Sequence, residues 1–78
     1  MLQPRLKLYS YAEVTRTAAS EIAACMRASR RSTGVEALAR RDTAYGIYLG
    51  WRALVAAYPD QRLYHTDDAR LEAMLVVH

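Results

Sequence analysis

Several residue types are scarce in this sequence, and each shortage restricts what the protein can be. Among its 78 residues there is one cysteine, Cys25, so no disulfide can form within the chain, and we expect the reducing environment of the cytoplasm. Glycine and proline are also few, and no internal repeat, low-complexity tract or linker interrupts the chain. We therefore expect residues 1–78 to form a single compact domain.

Long apolar runs are missing as well. A helix that crosses a bilayer needs about 20 apolar residues, and no stretch of this chain is both that long and free of charge. The N-terminal sequence MLQPRLKLYSYAEV has no apolar segment followed by a cleavage site. These features predict no contact with a membrane and a cytoplasmic location.

Catalytic motifs are absent from the sequence. It contains no G-x-S-x-G, P-loop, H-E-x-x-H or paired-cysteine arrangement. Cys25 follows Ile22 on an apolar stripe, where a cysteine behaves as a small core residue rather than as a nucleophile. We expect a protein that is not an enzyme.

One group of side chains could in principle hold a metal ion or exchange protons: His65, Asp67, Asp68, Glu72 and His78. Their spacing matches no specific ligand pattern. Acidic residues in the first turn of a helix are favoured by the helix dipole, and this explains the same residues without a metal. We therefore predict no metal and no cofactor.

The stretch Asp42 to Pro59, DTAYGIYLGWRALVAAYP, predicts the central element of a mainly α-helical fold. Between Ala44 and Tyr58 only Arg52 is charged, and Pro59 cannot continue a helix. A helical period places one broad face inward: Ala44, Ile47, Tyr48, Trp51, Leu54, Val55 and Tyr58. We predict a buried central helix over residues 43–58 within a bundle of three to four helices.

The remaining helices are predicted from their caps. Ser10 and Glu13 have the spacing of a capping box and predict a first helix that runs to Ser29 or Arg31. Thr33 and Glu36 repeat the pattern and predict a short second helix with an apolar stripe of Val35, Leu38 and Ala39. We prefer Asp42 as the N-cap of the central helix, the alternative being one long bent helix. Thr66 is the predicted cap of a last helix with Leu71, Met74 and Leu75 inward.

A short strand is predicted before the first helix. Residues Leu6 to Tyr11 alternate between apolar and polar or amphipathic side chains, which is typical of a half-buried strand. Its candidate partner lies near residues 62–65, where Leu63, Tyr64 and His65 favour extended structure. Such a pair would have to pack on the helices to persist.

The charge distribution suggests a binding surface. The segment 27–41 holds five arginines and one acid, Glu36, although the whole chain has a net charge of only +3. Tyrosine is abundant and phenylalanine absent, and tyrosine with arginine is typical of protein-binding hot spots. The candidate contact residues are Arg27, Arg30, Arg31, Arg40 and Arg41, with Tyr9, Tyr11 and Tyr45 as flat anchors.

These residues lead to two functional expectations. The first is a small inhibitor, adaptor or regulatory subunit that binds a larger protein or nucleoprotein assembly; phage-encoded inhibitors such as anti-CRISPR proteins are one candidate class, on grounds of size and missing chemistry alone. The second is direct binding of nucleic acid through segment 27–41, although Arg27 stands where the turn of a helix-turn-helix motif usually has glycine.

Small residues form a second feature of the central helix. We call Gly46, Gly50, Ala53 and Ala57 the small-residue strip, because helical spacing aligns them on one side. Such a strip allows a second helix to approach closely. We expect the first helix to cover it, with a homodimer through the strip as the alternative.

Overall fold

A computed structural model describes residues 9–59 and 61–76 of the chain. Within these residues it has three helices, α1 (Tyr11–Arg30), α2 (Gly34–Val55) and α3 (Tyr64–Ala73), and no strand. The mainly helical fold class is therefore confirmed. α1 and α2 form an antiparallel hairpin, and α3 contacts both over a much smaller surface.

The start and the course of α1 are as predicted. The hydroxyl of Ser10 accepts a hydrogen bond from the Glu13 amide at 3.1 Å, and a Glu13 carboxylate oxygen accepts one from the Ser10 amide at 3.0 Å. This reciprocal pair satisfies two amides that have no partner inside the helix. Along α1, Ala18, Ile22 and Met26 are buried. The helix is continuous through Arg30, so no turn interrupts it at Arg27.

A continuous α2 replaces two predicted helices. It runs from Gly34 to Val55, so the predicted break at Asp42 is wrong and the long helix given as the alternative is correct. The sequence predicts a break because an unbroken helix places Asp42 on the face of Val35 and Leu38, and apolar periodicity predicts that this face is buried. Val35 is 84% exposed and Leu38 is 52% exposed. A charged residue on that face therefore meets water and causes no conflict.

The turn between α1 and α2 depends on one glycine. Gly34 has a φ of 59°, in the left-handed region that residues with a Cβ adopt only at a cost. Thr33 occupies the N-cap position as predicted, but its side chain makes no capping hydrogen bond. A carboxylate oxygen of Glu36 instead accepts a hydrogen bond from the hydroxyl of Ser32 at 3.2 Å.

The core is a seam between α1 and α2. In α2 the buried positions are Ala44, Tyr48, Trp51 and Val55, with the alternating spacing of four and three residues that keeps one face on a partner helix. Two cross-helix hydrogen bonds set its register. Trp51 Nε1 donates to Thr15 Oγ1 at 2.9 Å, and Ser29 Oγ donates to the carbonyl of Ala37 at 3.1 Å.

The docking of α3 differs from its prediction. The helix begins at Tyr64, and neither Thr66 nor the N-cap residue Leu63 provides a side-chain cap. Tyr64 stacks on Trp51, with ring centroids 5.6 Å apart and planes within 6° of parallel. The predicted strand near residues 62–65 is wrong, because Arg62 and Leu63 form a turn and Tyr64 is the first residue of α3. Of its proposed partner, Leu6 to Leu8 lie outside the described residues and Tyr11 is helical.

Leu71 anchors α3 in the core as predicted. It is fully buried, and Met74 and Leu75 are half-buried against the same cluster. Burying a leucine side chain contributes on the order of 2 kcal/mol. α3 thus adds one fully buried leucine and one aromatic stack to the core rather than a long apolar interface.

The small-residue strip is not covered by α1. All four of its residues are exposed, and a Cβ added at Gly46 or Gly50 would have nothing within 4 Å among the described residues. The expectation of close internal packing is therefore wrong. The seam positions of α2 point to α1, and the strip lies on the outward side of the same helix.

The first prediction concerns the buried hydrogen bond of Trp51. Thr15→Val keeps the shape of the side chain but removes the acceptor, so a buried indole N–H loses its partner. We expect the free energy of unfolding to fall by about 1–3 kcal/mol, measured by urea denaturation followed by circular dichroism. Thr17→Val on the exposed side of α1 is the matched control. Equal losses in the two variants would contradict a special role for the Thr15 hydroxyl.

The second prediction uses the glycines. Gly46→Ala should raise the free energy of unfolding by about 0.5–1 kcal/mol, because alanine favours helix and the added Cβ meets open space. Gly34→Ala should lower it by about 1–2 kcal/mol, because the residue has a positive φ. Both are read from thermal and urea unfolding. A destabilised Gly46→Ala variant would show that another helix covers the strip.

Candidate functional site

The hairpin brings the five candidate arginines to one end of the molecule. In the register set by Thr15 with Trp51 and by Ser29 with Ala37, Arg40 lies level with Met26. At 1.5 Å per residue, all five arginines lie within about 12 Å of the turn measured along the helix axes. We call segment 27–41 the arginine tip.

The charge of the tip exceeds that of the whole chain. Five arginines and Glu36 give it a net charge of +4, so the rest of the chain has a net charge of −1. Arg27 and Arg30 lie in the last turn of α1, where the helix dipole favours positive charge. Arg40 approaches Glu36 at 4.0 Å, with both side chains more than half exposed, and such surface pairs contribute little to stability.

Arg41 differs from the other four arginines. Its side chain is half-buried on the seam side of α2, whereas Arg27, Arg30, Arg31 and Arg40 are exposed. The Nε atom of Arg41 is shielded from solvent and has no hydrogen-bond partner within the described part of the chain. The arginine tip therefore offers four exposed guanidinium groups to a partner and holds the fifth at its base.

Two apolar side chains also belong to the tip, and sequence reasoning missed them as surface residues. The sequence predicts a core-facing stripe with Val35 and Leu38, but α1 packs on the side of α2 that carries Ala37 and Ala44, so Val35 and Leu38 lie on a side that α1 does not cover. Their proximity to a run of arginines was a signal available in the sequence. The tip combines positive charge with exposed apolar surface.

The three candidate tyrosines have different environments. Tyr45 is exposed on α2, and Tyr9 is exposed just before α1. Tyr11 is half-buried, with its ring centroid 6.5 Å from that of Trp51, and its hydroxyl donates to Asp67 at 2.9 Å. Tyr9 and Tyr11 lie at the opposite end of the hairpin from the tip, so the structure does not bring the tyrosines and arginines into one cluster.

The acidic cluster in α3 is used for docking. Asp67 accepts the Tyr11 hydrogen bond and one from Arg70 at 3.0 Å. Asp68 accepts a hydrogen bond from the Tyr48 hydroxyl at 2.7 Å. Over residues 9–59 and 61–76, no three His, Cys, Asp or Glu side chains are arranged to hold a metal ion, and His78 lies outside these ranges. The two aspartates tie α3 to both helices of the hairpin.

Burial and the aspartates together change the acidity of two tyrosines. Desolvation, followed by the hydrogen bond to Asp67, raises the pKa of Tyr11 to about 12. Desolvation and the hydrogen bond to Asp68 raise the pKa of Tyr48 to about 12. In both cases the neutral phenol is stabilised, because ionisation would place a second negative charge beside a carboxylate.

Arg52 completes the docking contacts of α3. Its Nε atom donates to the Tyr64 hydroxyl at 3.2 Å and lies 3.5 Å from an Asp68 oxygen. The guanidinium carbon lies 5.7 Å from the centre of the Tyr48 ring, within the range of a cation–π contact. The Tyr64 hydroxyl and the neighbouring negative charge of Asp68 raise the pKa of Arg52. This arginine therefore serves the fold and is separate from the tip.

A second surface lies on the other side of the hairpin. An apolar groove of about 430 Å³ runs between α1 and α2, and we call it the apolar groove. Its apolar lining is Val14, Ala18, Ile47, Gly50, Trp51 and Leu54, with Tyr9 at one end. No α3 residue lines the groove. Tyr48 and Arg52 contact α3, and their side chains project from α2 on the opposite side of the seam.

Comparison with known proteins finds no match: no protein-family model, no curated protein and no solved structure is similar to this chain. No helix in the described part of the chain is long and apolar enough to cross a membrane.

The third prediction follows from the raised tyrosine pKa values. Unfolded tyrosine ionises near pH 10, whereas Tyr11 and Tyr48 stay neutral in the folded protein until about pH 12. Their contribution to stability is complete below about pH 10 and is lost as pH rises to about 12. We expect late-ionising phenols in an absorbance titration at 295 nm.

Tyr48→Phe should remove one late-ionising phenol from that titration. Tyr45→Phe, an exposed tyrosine on the same helix, is the matched control and should leave the late component unchanged. If the two variants lose the same component, Tyr48 does not donate to Asp68 in solution.

Proposed function

We propose that this protein is a non-enzymatic binding protein whose arginine tip docks on an acidic surface of a larger protein or nucleoprotein assembly. The supporting observation is the composition of the tip: it carries four exposed arginines together with the exposed side chains of Val35 and Leu38. Arginine is enriched at the centres of protein interfaces, where it combines charge with a planar apolar surface. An inhibitor, an adaptor or a regulatory subunit would use such a tip.

The fold makes the tip available for binding. The buried residues of α2 begin at Ala44, so its first ten residues add little to the core beyond the contact of Ala37 with Ser29. A surface that the core does not need can be specialised for a partner at little cost in stability. Because α3 docks near Trp51, at the other end of the hairpin, it leaves the turn uncovered.

The apolar side chains favour a protein partner over nucleic acid. Contacts to a phosphate backbone come from charged and polar groups, and a leucine or valine between them contributes nothing to such contacts. An acidic protein surface with an apolar patch would match both kinds of side chain. Phage-encoded inhibitors such as anti-CRISPR proteins remain one candidate class, and direct nucleic-acid binding through segment 27–41 is the competing function.

The fourth prediction tests the tip by charge reversal. Arg27→Glu should abolish capture of the partner from lysate of the native host, because it places a negative charge against an acidic surface. Arg16→Glu is the matched control: both arginines are exposed on α1, and their spacing of 11 residues is three helical turns, so they share one face. Quantitative mass spectrometry of parallel captures gives the readout. If both variants recover the same amount of partner, the arginine tip is not the docking surface.

A second variant distinguishes the two kinds of partner. Leu38→Ser should weaken binding to a protein by about tenfold or more, since it removes an apolar contact, and should not affect binding to DNA. A duplex titration at several salt concentrations completes the test. In a nucleic-acid-binding protein, the logarithm of the association constant for DNA falls linearly with the logarithm of salt concentration. Tight binding to the duplex with this salt dependence, unaffected by Leu38→Ser, would establish the nucleic-acid function instead.

A further inference from the structure

The two walls of the apolar groove differ in charge. On the α1 side the exposed lining residues are Glu13, Thr17 and Glu21, which follow one another at intervals of about one helical turn. The α2 side contributes apolar residues and Gly50. Among the described residues no basic side chain lines the groove. One edge of the groove therefore carries two negative charges, on a protein whose net charge is +3.

Glu21 is available to a partner. Its side chain is exposed, and its carboxylate makes no hydrogen bond or ion pair within the described part of the chain. Glu13 also accepts a hydrogen bond from the Ser10 amide in the capping box, so it adds charge to the edge while it caps α1. The two glutamates are about 12 Å apart along the helix axis. We call this side of the groove the acidic edge.

The small-residue strip extends the groove along α2. Gly50 belongs to both, and a Cβ added at Gly46 or Gly50 would have nothing within 4 Å among the described residues. All four residues of the strip are exposed, and helical spacing aligns them on one side. Leu54, which is 51% exposed, lies beside them in the groove. Because a row of small residues lets another helix approach closely, this surface has the shape that a third helix needs.

We propose that the apolar groove binds an amphipathic helix of a partner protein, one that carries two basic residues about two turns apart. Its apolar face lies on Ile47 and Leu54, as in other complexes in which a helix occupies a groove. Its basic residues face Glu13 and Glu21, whose separation of about 12 Å is close to two helical turns. Because the charge is confined to one edge, it also fixes the direction in which the helix binds.

Charge complementarity selects this occupant over others. The acidic edge repels the phosphates of nucleic acid and of an anionic membrane surface. It also disfavours a symmetric dimer through the groove, because two facing grooves would bring both acidic edges together, and like charges across an interface are costly. A basic helix neutralises the edge and covers the apolar lining at the same time.

The groove and the arginine tip therefore have opposite preferences. The tip attracts an acidic surface and the groove attracts a basic helix, and the two lie on different parts of the hairpin. A small protein with both surfaces can hold two partners at once, which is what an adaptor does. The groove does not depend on the tip for its binding, so the inference goes beyond the proposed function and does not rest on it.

The fifth prediction uses a synthetic probe, an alanine-rich peptide of about 15 residues with leucines at i, i+4 and i+7 and two lysines about two turns apart. Trp51 is the single tryptophan of the chain and lines the groove, so its fluorescence reports whether the groove is occupied. We expect a saturable change in that fluorescence when the peptide is added. The helical circular dichroism signal should rise as well, because a free peptide of this length is only marginally helical.

Variants on both sides of the contact test the charge. Glu21→Lys should raise the dissociation constant of the peptide by at least about tenfold, because it places like charges together. Glu36→Lys, the same change at an exposed glutamate of the tip, is the matched control and should bind like the wild type. A peptide with glutamates in place of the lysines should prefer Glu21→Lys over the wild type. Gly50→Leu should block both peptides while keeping the helical signal, since its side chain extends into open space.

Three results would overturn the proposal. The first is the lack of any saturable fluorescence change with the lysine peptide up to about 1 mM, the limit of weak binding. The second is equal affinity of Glu21→Lys and Glu36→Lys for that peptide, since the acidic edge would then not select a basic helix. The third is a fluorescence change with protein concentration alone, which would show that a second copy fills the groove. The capture experiment with Arg27→Glu concerns the tip, so the proposed function stands or falls separately.

Discussion

The fold depends on the environment of one side chain, the indole of Trp51. It belongs to α2, donates a buried hydrogen bond to Thr15 in α1 and stacks on Tyr64, the first residue of α3. The three helices therefore meet at a single residue. Leaving a buried N–H without a partner costs about 1–3 kcal/mol, which is a large share of the stability of a small domain, so the hydroxyl of Thr15 also contributes to the fold.

The absence of phenylalanine has a structural consequence around that residue. Each tyrosine in the base of the hairpin brings a hydroxyl that must be satisfied, and the described structure provides partners for Tyr11 and Tyr48 from α3. Those partners are Asp67 and Asp68, two of the acidic residues in the candidate metal group. Polar contacts therefore attach α3, while the apolar seam between α1 and α2 provides most of the core.

Core and surface are separated along the hairpin. The base contains Trp51, the tyrosines and α3, whereas the tip contains arginines, Val35 and Leu38 with few buried neighbours. A long α2 is what makes this separation possible, because it extends beyond the core without a break. The apolar groove lies beside the base, on the side away from α3, so the two candidate binding surfaces do not overlap.

The sequence by itself determined the helical class, the capping box of α1 and most inward residues of α2. These follow from local chemistry: a serine and a glutamate three residues apart, and apolar side chains at helical spacing. The arginine cluster was also visible, because a short turn between two helices necessarily brings segment 27–41 to one end.

Only the tertiary structure decided which apolar residues stay exposed. Periodicity shows that Val35 and Leu38 share a face, but whether that face is covered depends on which side of α2 the helix α1 packs against. The break predicted at Asp42 and the covered strip predicted at Gly50 both failed for this reason. Likewise, Tyr64 of α3 stacks on Trp51, a contact between residues 13 positions apart that no local pattern contains. Local chemistry sets which elements form, and the position of their neighbours sets which faces remain for function.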